Sequence, residues 1–437
     1  MRARITLCVV KISRFLLSLL GRGGSLPGQI GLKLDGQILQ KIKYPKEIIL
    51  VTGTNGKTTT TNMVYRLMQK KYKHVICNVR GDNLLVGIAA LFLRNTKMKL
   101  QVDADCAVIE VDELNVPHVL KRVPVTKVLI NNFFRDQLDR AGEMESVVGK
   151  VSKALEDFQC ALILNADDPN VVRLADTSKQ AHVYFFGVDK NSESKEISNE
   201  ASEGKFCFRC NHQLEYAYYQ YSHIGHFACP NCGFGNNDRY VQASDVNLDT
   251  QSFVVENTTF HAPQDALYAI YNATGLIALA KLMDIPFANV QDLLKNFELK
   301  DGRMESFNIG RNVLLNLVKN PTGANEVMKY IMRDPEDKDI VIVLNDNDQD
   351  GTDVSWIWDA HFDLLVDTHT KHIICAGKRA YDMALRLKYE GYIGNLIVSE
   401  SLEGSIDELK KLDDHAYVIA TYTALQSMRK ILRRNEK

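Results

Sequence analysis

Short apolar runs alternate with segments of helical periodicity along most of this chain. "EIILVTG", "HVICN", "CAVIEV", "KVLINN", "CALILN" and "HVYFFG" are nearly continuous in apolar, often β-branched residues. Such runs predict strands buried on both faces, and the helix-like stretches between most of them predict a parallel α/β sheet covered on both sides. From about Gly302 a second series follows: "VLLNLV", "DIVIVLN", "HIICAG", "NLIVSE" and "AYVIATY". Residues ~190–250 break the rhythm with a polar, Ser/Glu/Asn-rich entry and then a Cys-rich insert. A chain of 437 residues exceeds one ordinary core. The division expected is an N-terminal helical segment (1–45), a larger α/β domain (46–300) with an insert at about 203–240, and a smaller α/β domain (301–437).

The opening segment "MRARITLCVVKISRFLLSLLGRGGS" is apolar but interrupted by Lys11 and Arg14, so its apolar runs fall well short of a membrane span. It also lacks the unbroken core and clean cleavage site of a signal peptide. Ile5, Val9, Ile12, Leu16 and Leu19 share one face of a helix, predicted to pack on the body and leave at most peripheral contact with a membrane.

Composition narrows the class. Hydrophobic content of 45% and charged content of 24% describe a water-soluble globular protein, and a net charge of −1 gives no general attraction to nucleic acid. Cys8, Cys77, Cys106, Cys160 and Cys375 stand singly, mostly in apolar runs, which is the usage of buried thiols in a reducing cytoplasm.

Two motifs carry chemistry. The first apolar strand runs into "VTGTNGKTTTTN", where Gly53, Thr54, Asn55, Gly56, Lys57, Thr58 and Thr59 open a helix. Glycines let backbone N–H groups close on phosphate oxygens, Lys57 neutralises charge and Thr58 is placed to ligate Mg²⁺, so this is a nucleotide site. Val51 stands where a standard G-x-x-x-x-G-K-T would need glycine, so the loop is a shorter variant. In the insert, "CFRC" (Cys207, Cys210) and "CPNC" (Cys229, Cys232) have zinc-ribbon spacing. Four thiolates close the coordination shell, so this Zn²⁺ is structural. The flanks lack a Lys/Arg cluster that would suit nucleic acid. Their aromatics are expected to form the insert's own core, and His223 and His226 to pack or hydrogen-bond locally.

"GTNGKTTT" resembles the ATP loop of the Mur ligase superfamily, which includes folylpolyglutamate synthetases. Further similar stretches follow in order over about 250 residues. "AVIEVDE" matches Glu110 to the family's Mg²⁺-binding glutamate. "NNFFRDQLDRAGE" follows, and "LNADDP", with Asn165, resembles the stretch near the adenine. "YNATG" matches Asn272 to a nucleotide-contacting asparagine, and "DGRME" matches Arg303 to an arginine that reaches the phosphates. The resemblance implies a Mur-type fold, ATP and Mg²⁺ as cofactors, and transfer of the γ-phosphoryl group to a carboxylate, with an amine attacking the acyl phosphate. Departures are informative. Gln137 replaces the histidine that helps hold a second Mg²⁺, and Lys150 lies one residue from the register of a carbamylated lysine. Lys319 replaces a histidine of the C-terminal domain, and no counterpart of the D-N-P-R amino-acid-recognition motif is evident.

The zinc ribbon, "LPGQI", "KNPTGAN", "DGTDVSWIWD" and "ATYTAL" together resemble the ligase subunits of the lipid II isoglutaminyl synthases. That resemblance implies amidation of the α-carboxylate of D-glutamate in the lipid II stem peptide, with ammonia from a GatD-type class I glutaminase partner, in the cytoplasm at or near the inner face of the membrane. An ammonia-using ligase needs no amino-acid pocket. Cys375, in an apolar strand, is core rather than a glutaminase nucleophile. The acid-rich "NDNDQDGTDVSWIWDA" is implied to lend an aspartate to the partner's Cys–His pair, Asp353 first and Asp350 as the alternative, with Trp356 and Trp358 holding the loop. Two other readings remain: an amino-acid-adding ligase, or a nucleotide-switched zinc-ribbon scaffold without catalysis.

Overall fold

In the strand Glu47–Thr52 successive side chains point to opposite faces, and both faces are buried. Ile49 and Val51 join one core layer with Met63, Val64 and Leu67 of the helix Lys57–Lys71 and with the helix Leu267–Leu282. Ile48 and Leu50 join the other, with Leu7, Phe92, Val148 and Val151. This alternation explains the continuous apolar runs: a strand with a helix layer on each side has no polar face to show.

The computed structural model describes residues 1–19, 24–78, 82–135, 144–198, 204–235, 237–298 and 304–436. The chain forms two compact units that divide between Phe297 and Glu298. The larger is built on a nine-stranded sheet in the order 258–261, 252–255, 241–247, 182–188, 161–165, 127–130, 47–52, 106–110, 75–77. Neighbours are parallel from 241–247 through 75–77. The strands Ser252–Val255 and Thr258–His261 extend one edge as an antiparallel pair, an addition the apolar pattern did not signal. The first strand lies between Lys127–Ile130 and Cys106–Glu110, so the strand order reverses at its carboxyl end, where open α/β sheets bind ligands.

The smaller unit has a six-stranded sheet in the order 305–308, 312–317, 415–420, 338–343, 370–376, 395–398. All neighbours are parallel except the first, antiparallel pair. Every apolar run of the second series is one of these strands. Cys375 is wholly buried, and burial pushes its thiol up to about 12.

The N-terminal helix Arg2–Leu19 exists, but it packs by the face opposite to the one expected. Ala3, Thr6, Leu7 and Val10 are buried, whereas Ile5, Val9, Ile12, Leu16 and Leu19 are exposed. The small and medium side chains let the helix approach the body; periodicity alone cannot say which of two apolar faces does so. Among the described residues, no helix is long and apolar enough to cross a membrane.

Phe92, fully buried, meets Tyr44 edge-to-face with 4.9 Å between centroids. Truncating a buried aromatic leaves a cavity that close packing does not refill. Phe92→Ala is expected to cost the larger unit about 3–5 kcal/mol, read as a lowered urea midpoint.

Candidate active site

The strand Glu47–Thr52 turns into the helix Lys57–Lys71 within four residues, with Gly56 as N-cap at φ 81°. A Cβ at Gly56 would stand 2.4 Å from Asn272 Oδ1, so both the backbone angle and the space demand glycine. The loop is clamped by the end of the neighbouring strand. Thr54 N donates to Asn132 O (3.0 Å), Asn55 N donates to Asn132 Oδ1 (2.8 Å), and Asn132 Nδ2 donates back to Asn55 O (3.1 Å). Thr54 Oγ1 accepts from Phe134 N at 3.0 Å. The result is a helix N-terminus with a rigid loop before it, an arrangement that favours anions.

Lys57 is buried, and its Nζ donates to both carboxylate oxygens of Glu113 at 3.1 Å and to Thr54 O at 3.3 Å. Glu113 was not singled out from the sequence, although it lies three residues after Glu110 in "EVDE". The two side chains are each 9% exposed, so the ammonium sits in the loop already compensated. Glu110 ends its strand opposite Val51 and is buried. Asn78 exchanges hydrogen bonds with its backbone, and Asn83 Nδ2 donates to its Oε1 at 3.1 Å. Thr58, half-buried, is the second residue of the helix.

Asn272 and Asn131 complete the floor. Asn131 Nδ2 donates to Asn272 Oδ1 at 3.1 Å and to Thr60 Oγ1 at 2.9 Å, while buried Asn131 Oδ1 has no hydrogen-bond partner among the described residues. An orphaned acceptor, a buried lysine, a strand-end glutamate and a helix N-terminus form a donor set that fits a Mg²⁺-nucleotide. Thr58 and Glu110 would hold the cation; the Gly53–Thr59 loop and Lys57 would hold the phosphates.

The "LNADDP" segment lies on the next strand of the sheet and its end. Asn165 is fully buried, with Nδ2 donating to Asn131 O (2.9 Å) and Oδ1 accepting from Asp167 N (3.0 Å). Its amide is committed to backbone, so it positions Asn131. Asp168 caps the helix Pro169–Thr177 through Asn170 N (2.8 Å) and accepts from Phe133 N (2.7 Å). Asp167 accepts from Val188 N, Tyr271 Oη and Arg239, and burial pushes its carboxyl above the ordinary value against the pull of the Arg239 charge. Arg303 and Gln137 lie outside the described residues. Lys150 is exposed on the helix Met144–Leu155.

In the insert, the Sγ atoms of Cys207, Cys210, Cys229 and Cys232 all lie within 4.8 Å of one another. Three of the separations are 3.5, 3.5 and 3.6 Å. A zinc tetrathiolate with Zn–S of ~2.3 Å needs about 3.8 Å between sulfurs, so the four fit that ion. The two knuckles repeat one geometry. Asn211 N donates to Cys207 O and Gly233 N to Cys229 O, with Asn211 and Gly233 at φ 57° and 70°. Phe227, Phe234 and Leu214 form the insert's core, but Tyr221 and Ile224 of its hairpin belong to the core of the larger unit. His226 Nδ1 lies 3.1 Å from Arg239, and His223 is buried 3.3 Å from Asp168; neither is near the thiolates' role.

The acid-rich segment begins where the strand Lys338–Val343 ends. Asp350 is buried: it accepts from Thr423 N (2.7 Å) and Thr423 Oγ1, at the first turn of the helix Tyr422–Arg434. Asp353 is exposed, its Oδ1 accepting from Ser355 N at 2.8 Å to shape a turn. Ile357, rather than Trp358, is the buried residue of the following 3₁₀ turn; Trp356 is half-buried, and Trp358 is 51% exposed, edge-on to Tyr389.

A parallel sheet with a phosphate loop at its switch point, a lysine opening the helix that follows and a glutamate ending the neighbouring strand have the arrangement of a nucleotide-binding enzyme. Residues 51–235 match the family model of the Mur ligase middle domain, and residues 317–425 that of the MurT ligase C-terminal domain. The chain is 32% identical, over 99% of its length and 97% of the relative's, to the MurT subunit of the glutamine-hydrolysing lipid II isoglutaminyl synthase of Streptococcus pneumoniae. It is 33% identical to the MurT subunit of Staphylococcus aureus strain COL, over 95% of this chain and 94% of that one. A pseudomurein peptide ligase type C from Methanothermus fervidus shares the fold, with TM-score 0.67 at 21% identity over 91% of this chain and 80% of that chain. The chain belongs to the MurT family of the Mur ligase superfamily and is an ATP-dependent ligase.

Two outcomes test the site. Replacing Lys57 alone strands Glu113 as a buried charge, which costs about 3–5 kcal/mol and would confuse activity with folding. The double variant Lys57→Met, Glu113→Gln removes both charges; it should stay folded by circular dichroism yet lose on the order of 10³-fold in ATP-dependent turnover. Cys207→Ser with Cys229→Ser should lose about one equivalent of zinc in metal analysis and lower Tm, because structural zinc contributes folding free energy.

Proposed function

We propose that this chain is the ligase subunit that converts the α-carboxylate of D-glutamate in the lipid II stem peptide to the amide, giving D-isoglutamine. The substrate carboxylate attacks the γ-phosphorus of ATP, ADP departs, and an acyl phosphate forms. Ammonia then adds at the acyl carbon and inorganic phosphate leaves. Lys57 and the loop N–H groups neutralise the phosphates, and Thr58 and Glu110 would hold a Mg²⁺, which would supply charge compensation for the transferring group. Arg303 is assigned to the phosphates by family resemblance. The structural zinc takes no part in the chemistry.

The observation that carries the amidating reading is a division of labour within one chain. It has the carboxylate-activating loop, but among the described residues no glutaminase nucleophile is set up: Cys375, the nearest candidate, is sealed in a strand with its thiol pushed up to about 12. In this reading ammonia comes from a GatD-type class I glutaminase docked on the smaller unit. Supporting this, Tyr381, Leu385 and Tyr389 form an exposed row at helical spacing, continued by Trp358 of the acid-rich loop. Asp353 orients the partner's catalytic histidine, as a triad carboxylate does. Asp350, the alternative, is engaged by Thr423 and serves the loop. The complex works in the cytoplasm at the inner face of the membrane, where lipid-linked substrate is presented.

The test is product mass analysis with lipid II, ATP, the glutaminase and either glutamine or free ammonium. Asp353→Asn should lower glutamine-dependent amidation by on the order of 10²-fold or more while ammonium-dependent amidation persists. Equal loss with both nitrogen sources, or with neither, refutes the shared triad. Turnover with an amino acid and no glutaminase would instead make the chain an amino-acid-adding ligase.

A further inference from the structure

The helix Arg2–Leu19 has a second apolar face that no described residue covers. At about 100° per residue, Ile5, Val9, Ile12, Phe15, Leu16 and Leu19 fall within an outward arc of roughly 120°. All are exposed, Ile12 by 60%, Phe15 by 64% and Leu19 by 69%. Exposed Cys8 falls in the same arc, and no charged residue does. Arg4 and Lys11 border one edge of the arc and Arg2 the other. The opposite face is already used: Ala3, Thr6, Leu7 and Val10 are buried, and the Arg2 guanidinium donates to Leu34 O at 3.0 and 2.8 Å.

Charge decides what this face meets. Residues 1–34 carry six cations (Arg2, Arg4, Lys11, Arg14, Arg22 and Lys33) and no Asp or Glu, in a chain whose net charge is −1. A second copy of the helix would bring the same cations against themselves, and a neutral apolar partner would leave them unused. We propose that this face docks on an anionic lipid bilayer. The helix lies in the plane of the interface, its apolar arc at the acyl boundary and its bordering cations on lipid phosphates. Because the helix is already folded and fixed by its inner face, docking carries no ordering cost for it. The same helix contributes Arg14 and Ser18 to a cavity of about 430 Å³, also lined by Asn78 and Arg94. Asn78 holds the backbone of Glu110, so this cavity adjoins the strand end that bears the proposed metal ligand. The proposal rests on the lipid II reading for its purpose, since a lipid-linked substrate is met at a membrane, but not for its test.

Full-length protein is sedimented with vesicles of phosphatidylcholine alone or mixed equally with phosphatidylglycerol, at low and high salt. Binding should be at least tenfold tighter to the anionic vesicles and fall with salt. The variant Ile12→Glu, Phe15→Glu changes only exposed side chains; it should keep the wild-type Tm and lose at least tenfold in vesicle binding. Equal binding to both vesicle types, or wild-type binding by that variant, overturns the proposal. So does sedimentation-velocity evidence of a dimer that the variant abolishes, with no vesicle binding, since that would assign the face to a second copy. Vesicle binding without any amidation of lipid II would refute the proposed substrate and leave the docking face standing.

Discussion

The contact between the Gly53–Gly56 loop and the asparagines beneath it governs the larger unit. A Cβ at Gly53 would come 2.9 Å from Asn132 O, and one at Gly56 would meet Asn272 Oδ1. So close an approach needs two neighbours at a fixed height: the end of the strand Lys127–Ile130 and the first turns of the helix Leu267–Leu282. The strand is held in parallel register, Thr52 opposite Ile130. The helix is buried on nearly every side, as its long apolar sequence requires. Asn165 then fixes Asn131 from the next strand along. A phosphate loop is usually described by its glycines, but here four asparagines set where those glycines can lie.

That rigidity bears on chemistry. Phosphoryl transfer asks the protein mainly for position and charge. Lys57 is held by Glu113 and Thr54 O, and Glu110 by Asn78 at its backbone and Asn83 at its carboxylate, so both side chains are ordered by neighbours. The loop of the smaller unit is organised by the same means. Asp350 ties it to the N-terminal turn of a helix, and Asn345 and Asn347 both donate to Thr423 Oγ1. With those anchors taken inward, Asp353 and Trp358 are among the residues the loop presents to solvent, with Asp348, Gln349, Thr352 and Ser355. In each unit these segments follow the carboxyl end of a central parallel strand, an edge of such a sheet where loops are free to carry function.

Much of this was legible in the chain. Strands buried on both faces must be apolar throughout, so all eleven runs quoted above became strands. A helix that begins on a phosphate loop needs glycine and lysine at fixed spacing, and two thiolate knuckles need C-x₂-C, so both motifs could be read without coordinates. What sequence could not supply was the partner of each polar group. Glu113 is an ordinary acid until the fold brings it 3.1 Å from Lys57, and no local pattern shows that Asp350 is bonded by Thr423, 73 residues away, while Asp353 stays exposed. Likewise the N-terminal helix carries apolar residues on two faces, and periodicity is the same for both. Only packing chose Leu7 and Val10 for the interior and left Ile12 and Phe15 outside, because burial depends on the shape of the surface a helix meets, and no local pattern encodes that surface.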